Sequence, residues 1–167
     1  MKLIPLTQGK LAQVDDADYD WLNQWKWYYL SSGYAARDII VNHKKTCILM
    51  HVAISREMGF SSPDHKNRNR LDNRRENLRP ASRAQQRQNT GLRSDNISGY
   101  KGVSWKASRK RWTADITVAG KHIYLKSCRT PEEAAKHYDV AALKYFGEFA
   151  NLNFPQTPKQ KVKIAET

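Results

Sequence analysis

Asp64-His65-Lys66-Asn67-Arg68-Asn69-Arg70-Leu71-Asp72-Asn73-Arg74-Arg75-Glu76-Asn77-Leu78-Arg79-Pro80-Ala81-Ser82-Arg83-Ala84-Gln85-Gln86-Arg87-Gln88-Asn89 is the stretch from which the rest of the chain is read. A carboxylate and an imidazole stand side by side at its start. The residues that follow are too polar to form a core: Asn67, Asn69, Asp72 and Asn73 are turn formers whose side chains bond local backbone, with Leu71 and Leu78 as apolar pins. Ser82 with Gln85 three residues on is a capping-box pattern, and Gly91 is a stop for a helix of about two turns. The order is therefore strand, long polar loop, strand, helix. It puts Asp64 and His65 at a strand end, facing the helix that carries Gln85, Gln86 and Asn89.

With Asp64-His65, the loop of this length, the ordered run Leu71 to Arg79 and the basic helix after it, the stretch resembles the ββα-metal core of HNH endonucleases of the phage and intron-encoded homing type. The resemblance implies one divalent ion per site, Mg2+ or Mn2+, bound by Asp64, with His65 as general base and Asn77 as the scaffold residue that orients it. The family's second metal ligand is an Asn on the helix, twenty-two residues after the Asp; here that position is Gln86, whose amide oxygen sits on a longer stem. The chemistry suits these residue types. In-line attack of water on a phosphodiester needs a base near neutral pKa and a hard cation at the phosphate and the leaving 3′ oxygen, leaving 5′-phosphate and 3′-hydroxyl ends. The implied activity is a metal-dependent hydrolase that nicks or cuts double-stranded DNA as a monomer or homodimer. The alternative is a DNA-binding regulator on an HNH scaffold whose catalysis is weakened.

The chain has 167 residues, room for one or two small domains, with 29 Lys and Arg against 16 Asp and Glu and a net charge of +13. Residues 64 to 111 hold fourteen of those cations against four acids, a net of +10, so most of the charge lies in under a third of the chain. Such clustering points to a polyanion, and Arg68, Arg70, Arg74, Arg75, Arg79, Arg83, Arg87 and Arg93 are its candidate phosphate contacts. Cys47 and Cys128 lack metal-like spacing and read as small packed thiols of a reducing compartment. Neither a signal peptide nor a membrane span is read in Met1 to Thr7, so the expected location is the cytoplasm, that of a bacterial host if the chain is phage-encoded.

Upstream, Lys10 to Val14 reads as a strand, Ala17 to Trp25 as a helix, Trp27 to Leu30 and Tyr34 to Val41 as a hairpin, Thr46 to Met50 as a strand and His51 to Met58 as a helix ended by Gly59. Trp21, Trp25 and Trp27 are taken as core, and His51 as a capping or packed residue beside the alternative of a phosphate contact. The runs Leu6 to Lys10 and Val14 to Asp18, and Met50-His51, are similar to segments of small phage HNH proteins.

Residues 90 to 99 have turn formers throughout and read as a linker. Three alternating runs follow, Tyr100 to Lys106, Arg111 to Val118 and His122 to Ser127, then a helix started by Thr130-Pro131-Glu132-Glu133, with Ala134, Tyr138, Ala141 and Tyr145 at helical spacing and Gly147 as its stop. Tyr100-Lys101-Gly102-Val103-Ser104-Trp105, Trp112 to Ile116, Pro131 to Ala135, Tyr138-Asp139 and Phe146 to Pro155 resemble the Apetala-type (ethylene-response-factor-like) DNA-binding domain. That resemblance implies a sheet laid in the major groove by Lys101, Ser104, Lys106, Arg111, Thr113, Asp115, Thr117, His122 and Tyr124, with Trp105 and Trp112 on the inner face. Leu125-Lys126-Ser127-Cys128 departs from the family's usual Leu-Gly-aromatic-Phe. The expected fold class is α+β: an HNH domain over 1–89 with its ββα core at about 59–89, a linker at 90–99, the sheet-and-helix domain at 100–155, and a disordered tail at 156–167.

Overall fold

The computed structural model describes residues 1–155; the expected tail, 156–167, lies outside the described residues. The chain is mixed α+β and divides into two compact units, Met1–Gln86 and one that begins at Arg87.

In the first unit, β1 (Lys2–Pro5) and β2 (Leu11–Val14) form an antiparallel hairpin, followed by α1 (Asp16–Leu22). A second antiparallel sheet has the order β3 (Tyr28–Tyr29), β4 (Ala35–Val41), β5 (Lys44–Leu49), with Asn42 and His43 at positive φ in the tight turn between its long strands. Then come α2 (Met50–Glu57), the short pair β6 (Pro63–His65) and β7 (Leu78–Pro80), and α3 (Arg83–Gln88). Ile4, Val14, Leu22, Met50 and Ile54 are fully buried together, and each contributes about 1.5–3 kcal/mol by leaving water.

The tryptophans do not all behave as expected. Trp27 is buried, its Nε1 donating to Leu22 O at 2.8 Å, but α1 stops at Leu22 and leaves Trp25 47% exposed with the Arg37 guanidinium 4.1 Å above its ring. A helix three residues shorter turns that side chain out of the core. Cys47, expected to be packed, is exposed on β5, because its strand extends past the core it would have joined.

The second unit is a three-stranded antiparallel sheet, β8 (Val103–Lys106), β9 (Arg111–Val118) and β10 (Lys121–Cys128), covered by α4 (Pro131–Phe146). The helix start is as read: Thr130 accepts from Glu133 N at 3.2 Å, Glu133 accepts from Arg129 N at 3.3 Å, and Pro131 occupies the first turn. Gly102 lies at φ +72°, and a Cβ there would stand 1.9 Å from Tyr138 Cδ2. No other residue fits between that loop and the α4 ring. The departure at Leu125 to Cys128 is absorbed by a register shift between Tyr124 and Lys126. One extra residue in the strand lets both Leu125 and Cys128 face inward, three positions apart, where strict alternation would put them on opposite faces.

Asp139 ties the end of the unit down. Its carboxylate accepts from Asn153 N at 2.9 Å, Asn153 Nδ2 at 3.0 Å and Phe154 N at 2.8 Å, while Asn153 Oδ1 accepts from Lys101 N at 2.7 Å. Trp105 lies on the inner face opposite Trp112 but is 42% exposed and so is not core, and Tyr145, near the end of α4, is 42% exposed as well.

Candidate active site and nucleic-acid interface

The site is built on the shortest sheet in the molecule. β6 and β7 pair Asp64 with Arg79 and His65 with Leu78, so the carboxylate and the imidazole leave the strand on opposite sides. The loop between them, residues 66–77, is held by its own amides. Asn69 N and Leu71 N donate to Asn67 Oδ1 and Asn69 Oδ1 at 2.8 and 3.1 Å. Asp72, only 2% exposed, accepts from Arg74 Nε, Arg74 Nη2 and Asn67 Nδ2, each at 2.8 Å, and the Arg74 guanidinium holds its carboxyl below the usual range.

The N-terminal elements, to which the sequence assigned no role, clamp this loop. Gln13 of β2 donates from its N to Leu71 O at 2.7 Å and accepts from Asn73 N at 2.8 Å. Asp15 accepts from Arg75 N at 2.8 Å, and the buried Asp18 takes Arg75 Nε and Nη2 at 2.7 Å, which lowers its pKa.

Asn73 orients His65. The Asn73 Nδ2 group donates to Leu71 O at 3.3 Å, which turns Oδ1 toward the imidazole, 3.2 Å from Nε2. An amide oxygen only accepts, so Nε2 carries the proton and Nδ1 is the basic nitrogen. This corrects the role expected of Asn77. Its Nδ2 donates to Asp72 O at 2.7 Å and its Oδ1 accepts from Asn67 N at 3.0 Å, so it braces the loop that carries Asn73. The signal was present in the sequence, since both asparagines lie in one run, but spacing alone does not say which amide meets the ring. His65 is buried, and desolvation outweighs the hydrogen bond to Asn73 and the nearby carboxylates, pushing its pKa below the ordinary imidazole value. It is neutral and able to take a proton at pH 7.

Asp64 Oδ2 accepts from Arg79 Nε at 3.1 Å and Nη2 at 3.0 Å, and both side chains are largely buried. Gln86 Nε2 donates to Pro63 O at 3.0 Å and to Ser62 Oγ at 3.4 Å, which anchors α3 to β6. Among the described residues no three His, Cys, Asp or Glu side chains cluster as a metal cage. The one carboxylate here, Asp64, is the donor type that a hard, hydrated ion of magnesium's kind takes, since such an ion keeps several waters and takes further oxygens from a phosphate.

Several expected DNA contacts are spent inside the protein. Arg79 serves Asp64, Arg75 serves Asp18, Arg74 bridges Asp72 and Glu76, and exposed Arg93 pairs with Asp95 at 2.9 Å. Lys101 Nζ donates to Gln88 O and Thr90 O, and Arg70 donates to Ser32 O. Arg68 at positive φ, Arg83 and Arg87 are exposed. In the second unit the register puts Ser104, Lys106, Arg111, Thr113, Asp115, Thr117, His122 and Tyr124 on the face away from α4. Lys106, Thr117, His122 and Tyr124 are exposed there. Thr113 is 1% exposed, donating to Asp115 Oδ2 at 3.1 Å between Ser104 and Ser127, so it supports the face and presents nothing to a ligand.

Comparison with known proteins bears on this second unit most strongly. Residues 98–148 match the AP2 domain family. This part of the chain is an AP2 domain. Similar proteins include the AP2-like ethylene-responsive transcription factor TOE2 of Arabidopsis thaliana, 36% identical over 77 residues, 46% of this chain and 16% of that protein. The Arabidopsis AP2-like ethylene-responsive transcription factor ANT is 47% identical over 66 residues, 38% of this chain and 12% of that one. The chain thus spans about a sixth or less of these plant relatives. A more distant likeness runs along both units: an uncharacterized HNH endonuclease, L560, of Acanthamoeba polyphaga mimivirus is 29% identical over 147 residues, 87% of this chain and 76% of that protein.

Proposed function

We propose that the chain is a metal-dependent DNA endonuclease, with the first unit cutting and the AP2 domain anchoring it on duplex DNA. The observation that carries this reading is the chain of bonds Leu71 O, Asn73, His65, which orients the imidazole one residue from a largely buried carboxylate. The viral relative's name and the AP2 match support it. Asp64, with the amide of Gln86, would hold the divalent ion, which supplies positive charge to the phosphate and the leaving oxygen when bound. His65 Nδ1 takes the proton of the attacking water, and Asn73 keeps Nε2–H directed as the imidazolium forms. In this reading the exposed Arg83, Arg87 and Lys106 meet backbone phosphates, and Tyr124 and His122 on the polar sheet face meet base edges.

A binding-only regulator is the second reading, and one observation favours it: Arg79 already neutralises Asp64, and the Gln86 amide is engaged by Pro63. Product chemistry separates the two. With Mg2+ or Mn2+ the nuclease reading predicts nicked plasmid that DNA ligase reseals without pretreatment, because the ends are 5′-phosphate and 3′-hydroxyl. Plasmid that stays supercoiled while the protein retards it in a gel would leave only the binder.

A further inference from the structure

Three aromatic rings from separate elements meet at the site. Tyr34, just before β4, stacks on His51 of α2 with centroids 4.8 Å apart and planes at 25°, and His51 lies 4.8 Å from His65 at 53°. The Arg70 guanidinium covers the outer face of Tyr34 at 4.8 Å, close enough to the turn that Gly33 is packed against its stem. His51 is 6% exposed and its Nδ1 has no hydrogen-bond partner.

A buried ring nitrogen without a partner costs free energy that a phenyl ring in the same place would not. Filling space beside His65 therefore does not account for a histidine here. His51 is as enclosed as His65, which is 5% exposed, and the two rings touch, so whatever movement admits a phosphate to one imidazole uncovers the other. Desolvation first, then the nearness of His65 and Arg70, push the His51 pKa down to about 3, so it is a neutral ring at any working pH. It can donate without competing with His65 for the proton.

Resting on the nuclease reading above, we propose that His51 is a second substrate-contacting histidine, whose Nδ1–H donates to a non-bridging oxygen of the phosphodiester held beside His65. A neutral donor aimed at an oxygen that gains charge in the transition state is the arrangement that stabilises it most for the least reorganisation. The contact forms only in the DNA complex, which is why the nitrogen stands unpaired in the free protein.

His51→Phe and His51→Asn test this with supercoiled plasmid under single-turnover conditions, beside melting temperature and gel retardation. Phe keeps the stack and removes the donor; Asn sets an amide where imidazole Nδ1 stands. The expected result is a His51→Phe protein that melts at or above the wild-type temperature, binds DNA as before and nicks about a hundredfold more slowly, with His51→Asn recovering part of the loss. A His51→Phe protein nicking at the wild-type rate overturns the proposal, as does equal slowness of both variants, which would make the ring and not its nitrogen the requirement. An inactive wild type would instead remove the nuclease reading itself.

Discussion

Asn73 has more influence on the proposed chemistry than any other residue that does not touch substrate. Its amide is oriented from one side by Leu71 O and sets the proton of His65 on the other. Asn73→Leu should slow nicking by about a hundredfold with DNA retardation unchanged, whereas Asn73→Asp, which still accepts from Nε2, should keep most of the activity; equal loss in both would remove the orienting role. Asp64 and His65 stand out in the sequence because a carboxylate-imidazole pair ahead of an unpackable polar loop has few structural uses. It gave the contact with the His65 ring to Asn77 where Asn73 makes it, and it read His51 as packed, which it is, without showing that the ring it packs against is His65, since ring-to-ring contacts between residues 14 positions apart leave no periodic trace. It also counted Arg74, Arg75 and Arg79 as phosphate contacts. Composition registers charge, not the carboxylates that Asp72, Asp18 and Asp64 bring to them in space.

Elements explain both what could be read and what could not. The capping box at Ser82, with Gln85 Oε1 accepting from Ser82 N at 2.8 Å, and the Thr130 cap of α4 were visible because their partners are three residues apart. The clamp of β2 and α1 on the 66–77 loop was not, because it joins residues about 60 positions apart through backbone groups and two aspartates. That clamp has a pH signature. Asp18 and Asp72 have depressed pKa values in the fold, so their contribution is complete above the ordinary carboxylate pKa and is lost as pH falls through their lower folded values. His51 and His65, neutral in the fold but protonated when unfolded, add a second loss that begins as pH falls below about 6.5. Melting temperature should therefore decline in two stages on acidification, and Asp18→Asn should lower stability at pH 7 while flattening the more acidic stage. A single-stage profile unaffected by that substitution would contradict the clamp. In the second unit Gly102→Ala meets both the Tyr138 ring and a positive φ, and should cost on the order of 3 kcal/mol, seen as loss of the unit's own unfolding transition; a Gly102→Ala unit that unfolds like wild type would mean the loop and α4 are not in contact.

At the scale of the whole molecule the two units differ in chemistry: buried amides and two packed imidazoles in the first, an open polar sheet face in the AP2 domain. The α+β class and the sheet-on-helix architecture were legible from alternation in β9 and the cap of α4, while the bulge that turns Cys128 inward depends on a register no local pattern encodes. On the sheet, Arg111 is bonded to no carboxylate in any described contact and shares its face with Lys106. Arg111→Ala should weaken duplex binding and reduce the slope of log affinity against log salt by about one; an unchanged slope would take Arg111 out of the interface. The most direct test of the whole account is the rate at which saturating protein with Mn2+ converts supercoiled plasmid to open circles, wild type against His65→Ala. A base held as His65 is held predicts a loss of at least about a hundredfold in the variant with binding intact. Equal rates, or no conversion by either protein, would contradict it.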